Sequence, residues 1–231
     1  MMFDPLYLAV MLAGLVLSGL ASLWTKAAFR RWSQVPIGRG LTGAEVAAAI
    51  LRAEGIHDVQ IEPVGGFLSD HYDPRSRTLR LSPDVYGGRS VSAAGVAAHE
   101  VGHALQHAQG YAPMRLRQAM VPVAGIGTNL GIWMVVIGMV IGMTGLAYLG
   151  VALFAGFVLF TLVTLPVEFD ASIRARRVLE QRGLLKGEEL RGVRAVLTAA
   201  AATYLASAVS AVLQLVYWLL RVGLIGGGRD D

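Results

Sequence analysis

The chain has no cysteine among its 231 residues. Disulfides and thiolate metal sites are therefore excluded, and the composition fits a reducing compartment. Charge is scarce as well. Asp, Glu, Lys and Arg together supply 16% of residues against 55% hydrophobic, and the mean hydropathy is +0.55. Such a chain is too apolar for an ordinary soluble domain and belongs among membrane proteins. From Gln118 to Val167 no residue is charged. The net charge of +4 comes from arginines clustered beside hydrophobic runs, with no aromatic-interleaved basic patch, so no nucleic-acid partner is expected. The partner this composition implies is a lipid bilayer.

The apolar runs set the topology. Residues 5–24 are uncharged and long enough to cross a hydrocarbon core of ~30 Å. Asp4 precedes this run while Lys26, Arg30 and Arg31 follow it. A cleaved signal peptide has the reverse polarity, so the run reads as a retained anchor with residues 25 onward in the cytoplasm. The uncharged stretch 118–167 would make a helix of ~75 Å, more than twice the hydrocarbon thickness, and must fold back. Gly142-Met143-Thr144-Gly145 is the natural hairpin, giving spans at 124–142 and 146–166. Gly127 with Gly131, and Gly138 with Gly142, are small-residue pairs that predict tight packing within one bundle. Residues 167–194 carry seven basic side chains from Arg174 to Arg194 and read as a second cytoplasmic segment. A fourth span follows at 195–220. Four crossings leave both termini, including the tail 221–231, on the outer face and both basic segments on the inner one.

Residues 25–117 form the first cytoplasmic segment. Thr42 and Glu45 make a capping box ahead of an apolar helix that Gly55 closes. Strand patterns follow at 59–62, 67–72 and 78–82, the last two pairing around Asp73-Pro74-Arg75-Ser76. A helix is then predicted over 92–109, capped by Ser92 and stopped before Gly110. It carries His99-Glu100-Val101-Gly102-His103. The two histidines lie four apart, so both imidazoles leave one face and can reach one metal ion. Glu100 lies one step round, where its carboxylate can accept a proton from water. This H-E-x-x-H arrangement is that of zinc peptidases. The alanine-rich helix around it implies burial, and buried polar side chains need partners, which a metal provides. His107 lies about 12 Å up the axis from His99, too far for one ion. His57 falls in a turn and carries no signal.

Two imidazoles are half of a tetrahedral site, and a third protein ligand is required. Glu168 and Asp170 emerge just past the membrane hairpin, on the side where the histidines lie. They point to different sides of a helix, so one of the two should face the metal. His71, Tyr72 and Arg174 are candidates for a second electrophile beside the substrate carbonyl.

Three stretches resemble the YugP-type membrane neutral zinc metallopeptidase family: Ile61 to Arg75, Ala97 to Ala104, and Leu165 to Ser172. The family is distantly similar to HtpX-type and CAAX-prenyl-type membrane metalloproteases, which share the order H-E-x-x-H, hydrophobic pair, then a Glu ligand followed by Phe. The resemblance implies His99, His103 and Glu168 as ligands of one zinc ion and Glu100 as general base. Those relatives carry Asp four residues after the ligand Glu, where this chain has Ser172, so a carboxylate partner for a ligand His would come from Asp170 or elsewhere. The expectation is an α-helical membrane protein. It has four transmembrane helices and a small cytoplasmic α+β, zincin-like metallopeptidase domain, and acts as a multi-pass plasma-membrane endopeptidase with its active site on the cytoplasmic side. The competing expectations are a non-catalytic membrane scaffold with a structural metal, and a four-span transporter. A structural zinc normally has four protein ligands, and no charge lies inside any span as an ion pathway would need.

Overall fold

The computed structural model describes residues 4–225; the part of the predicted outer tail at 226–231 lies outside the described residues. The described residues are mostly helical. The order is α1 (Pro5–Ser33), α2 (Gly43–Ala53), β1 (Gln60–Pro63), β2 (His71–Asp73), β3 (Thr78–Leu81), α3 (Pro83–Tyr86), α4 (Val91–Ala108), α5 (Ala112–Ile126), a π-helical turn at Gly127–Gly131, α6 (Ile132–Val140), α7 (Thr144–Gln181) and α8 (Glu188–Arg221). Four helical stretches are long and apolar enough to cross a membrane: Pro5–Ser33, Ala112–Val140, Thr144–Gln181 and Glu188–Arg221. Each extends beyond the apolar run that marks it in the sequence, because backbone hydrogen bonding continues into polar flanks. Pro166 removes one such bond without ending α7. The chain forms two compact units.

Among the described residues the first unit comprises 4–20, 116–165 and 203–225. Here Gly127, Gly131 and Gly138 bring the α5–α6 stretch against α7. A Cβ on Gly127 would stand 2.4 Å from the Leu153 carbonyl oxygen, and one on Gly138 would stand 2.6 Å from the Ala147 nitrogen. Gly142, paired with Gly138 by its spacing, instead takes φ +74° in the hairpin turn, with nothing near its missing side chain. The ends of α1 and α8 meet: the Tyr217 hydroxyl donates to Asp4 at 3.1 Å, and Arg221 Nε lies 3.3 Å from the same carboxylate oxygen.

The second unit comprises Ala21–Arg115 and Pro166–Ala202. Its core gathers Val46, Ile50, Leu79, Leu81, Val101, Leu179 and Leu185 around α4. The capping box forms as the sequence predicts: Glu45 N–H donates to Thr42 Oγ1 at 3.1 Å, and Thr42 N–H donates to Glu45 at 2.7 Å. The sheet runs β1-β3-β2, with β1 parallel and β2 antiparallel to β3. The strand expected over 67–72 shortens to His71–Asp73. Gly66 at φ +108° and Leu68 at φ +54° turn the backbone out of extended geometry. Asp70 fixes that turn by accepting hydrogen bonds from the Ser82 N–H and hydroxyl at 2.7 and 3.0 Å. Helix α4 starts one residue earlier than its sequence pattern, and Ser90, not Ser92, caps it through the Ala93 N–H. Ser92 is instead buried inside the first turn, within 3.1 Å of the Ser90 hydroxyl.

Candidate metal centre

Three chemical features of α4 and α7 build the site. The first is Gly102, between the two histidines. A Cβ there would stand 2.5 Å from the Ala171 carbonyl oxygen and 3.1 Å from its Cα. Only a glycine lets the two backbones approach this closely. The second is the four-residue spacing, which turns His99 and His103 to one face with ring centroids 4.8 Å apart and planes at 81°. The third is Glu168, on α7 and 2% exposed. His99 Nε2 lies 3.3 Å and His103 Nε2 3.5 Å from the same Glu168 oxygen. The three donor atoms all lie within 4.8 Å of one another, a set that could hold a metal ion.

The outer nitrogens are also engaged. His99 Nδ1 meets the Ser172 hydroxyl at 3.2 Å, so one imidazole spans Glu168 and Ser172, one helical turn apart on α7. His103 Nδ1 meets Gln106 Oε1 at 3.0 Å. Gln106 is wholly buried, and its amide nitrogen donates to the Val167 carbonyl and to Asp170, each at 2.8 Å. Those two acceptors fix the amide's orientation. Its oxygen must face His103, so Nδ1 carries a proton in either charge state and Nε2 is the nitrogen left for a cation. The chain of contacts continues from Asp170 to Arg174 Nε, and from Arg174 to Gln109 and the face of Tyr111.

Two imidazole nitrogens and a carboxylate oxygen are the donor chemistry zinc takes, and an almost fully buried carboxylate facing two imidazoles suits a cation. Burial pushes the Glu100 carboxyl above its ordinary range. Burial works to lower the His103 imidazole, but the Glu168 hydrogen bond and charge outweigh it and hold it above its usual value.

The competing carboxylate, Asp170, turns to Gln106 and Arg174, and reaches His103 only through the Gln106 amide. Ser172 provides the direct contact to an imidazole at the position where the relatives named above carry Asp. His107 stands apart from the donor set, with Nδ1 2.9 Å from the Tyr72 hydroxyl. His57 is exposed in the loop before β1, and His71 is exposed with its Nδ1 against the Ser69 carbonyl at 2.8 Å. Of the three electrophile candidates, Tyr72 is thus bonded to His107 and Arg174 to Asp170. Sequence reasoning missed Gln106 and Gly102. The available signals were a glutamine inside a buried, alanine-rich helix and a glycine in the middle of that helix, where each is costly without a reason.

Comparison with known proteins agrees with this chemistry. The family described as "Putative neutral zinc metallopeptidase" matches residues 7–223. The chain is 42% identical over 226 residues to "Putative membrane protease YugP" of Bacillus subtilis (strain 168), covering 98% of this chain and 99% of that one. No solved structure matches the chain.

Proposed function

The chain belongs to this zinc-metallopeptidase family, and we propose that it is a zinc-dependent membrane endopeptidase cutting peptide bonds in protein or peptide substrates. His99, His103 and Glu168 hold one zinc ion in this reading, and Glu100 is the general base. The observation that carries it is the convergence of two imidazole Nε2 atoms on one buried carboxylate oxygen, at 3.3 and 3.5 Å, with both Nδ1 atoms turned outward. A fourth protein donor is missing from that group among the described residues, which favours an open catalytic position over a structural metal.

Zinc in that donor set supplies Lewis acidity, lowering the pKa of water and drawing charge from a carbonyl oxygen. Glu100 takes the proton of the attacking water as its oxygen bonds to the carbonyl carbon. The same carboxyl then hands that proton to the amide nitrogen as the C–N bond breaks, releasing a carboxylate and an amine. Its burial keeps bulk water from competing for the proton. Gln106 holds His103 in one tautomer, and Gln106 and Ser172 hold the two imidazoles in orientation throughout. Strand β2 lies at the sheet edge against α4, where an extended peptide can add by backbone hydrogen bonds. The bias of basic residues to the segments at 25–117 and 167–194 supports a cytoplasmic position for this unit, at the plasma membrane.

The test compares cleavage of an unfolded protein by detergent-purified wild type and Glu100→Gln, with zinc content measured on both. The variant should keep its zinc and lose cleavage by at least about 100-fold. Equal zinc-dependent turnover would remove Glu100 from its role. Stoichiometric zinc with no cleavage by either protein would favour the scaffold reading.

A further inference from the structure

On the α7–α8 hairpin, away from the residues around His99 and His103, lies a cleft of about 440 Å³. Four arginines line it, Arg176 and Arg177 from α7 and Arg191 and Arg194 from α8. Glu180 is the one carboxylate among its lining residues. Among the described residues none of the four guanidiniums takes part in an ion pair. Four like charges converge here without the counter-charge that other arginines of this unit have, such as Arg174 on Asp170 and Arg182 on Glu54. Guanidinium groups present planar forks suited to phosphate oxygens.

We propose that this cleft binds the phosphate headgroup of an anionic phospholipid. Two observations favour a lipid over a free phosphate. Ile173 and Leu190 also line the cleft, and Ile173 is 46% exposed. Phe169, one helical turn earlier on the same face of α7, is 42% exposed. An apolar strip thus leads into a cationic pocket, which matches an amphiphile with an acyl end and a phosphate end. The second observation is position. Arg194 directly precedes the apolar run starting at Ala195, and Phe169, where the apolar strip begins, lies about 5 Å of helix beyond Pro166, within a headgroup layer of ~5–8 Å. Clusters of basic residues at this level are where anionic lipids gain electrostatic attraction. The assignment depends on the membrane character of the chain and not on the peptidase reading, so either can fail alone.

Full-length protein in neutral detergent micelles is titrated with phosphatidylglycerol labelled on its acyl chain, read by energy transfer from the protein's tryptophans. Phosphatidylcholine carrying the same label is the comparison. Phosphatidylglycerol should bind at least about 25-fold more tightly, and less so as salt rises from ~0.05 to ~0.5 M. Arg177→Gln with Arg194→Gln should weaken it roughly 25-fold, about fivefold per arginine. Arg52→Gln with Arg75→Gln, which removes the same charge elsewhere on this unit, should leave it unchanged. Equal binding of the two lipids overturns the proposal, and so does equal loss in both double variants. Complete displacement of the lipid by millimolar inorganic phosphate would assign the cleft to a free anion instead.

Discussion

Gln106→Leu tests whether the tautomer of His103 is set by its neighbour. The substitution keeps the volume nearly constant but removes the oxygen that His103 Nδ1 meets at 3.0 Å, and the amide bonded to Val167 and Asp170. The site is wholly buried, so no bulk water replaces the lost acceptor. An unsatisfied buried N–H costs about 1–3 kcal/mol. The Val167 carbonyl and Asp170 lose less, because the first is a helix carbonyl and the second keeps Arg174. For zinc, the ring loses the contact that presents Nε2, and losing such an outer partner typically weakens metal binding 10–100-fold, about 1.4–2.7 kcal/mol. Competition against a chelating dye in detergent measures the zinc affinity, and denaturation of the metal-free protein measures the stability. Zinc affinity within twofold of wild type, alongside a loss of stability, would show that Gln106 only fills space and would refute the reasoning.

Two further predictions follow from particular contacts. Gly102→Ala places a methyl group where the Ala171 carbonyl stands, so α4 and α7 must separate; it should cost about 1–3 kcal/mol in stability and more than tenfold in zinc affinity, and a variant with wild-type zinc binding would contradict the close-approach account. Asp70 concerns pH. Burial outweighs the Ser82 hydrogen bonds and holds its carboxyl above the ordinary value of 3.8, so its contribution to stability is full below that value and is lost as pH rises through the folded-state pKa. Asp70→Asn titrates nowhere and keeps an oxygen for the Ser82 N–H. Relative to it, wild type should therefore be less stable at pH 7 than at pH 4, and a melting-temperature difference that stays constant between those values would refute the shift.

Much of this protein is readable from local patterns. Thr42 and Glu45 mark a helix start because both halves of a capping box lie three residues apart, and the helix forms there. The pairing of His99 with His103 follows from helical spacing alone, and four apolar helical stretches follow from runs without charge. The start of α4 was less legible, since Ser90 and Ser92 are both competent caps and only the packed structure selects Ser90. The strand over 67–72 failed for a related reason: alternation of side chains does not reveal that Gly66 and Leu68 adopt positive φ.

What the residues alone determined is the chemistry on offer: two imidazoles on one face, a carboxylate beside them, and two acids just past a membrane hairpin. Which of those acids lies beside the imidazoles is a property of the tertiary fold, because 65 residues separate His103 from Glu168 and no local rule spans that distance. The packed helices bring Glu168 there through the rotation of α7 about its own axis, held by the contact of Gly102 with Ala171. That rotation turns Glu168 and Ser172 toward His99 and leaves Asp170 to the Gln106 amide, so one helix face provides both the inner and the outer partners of the histidines.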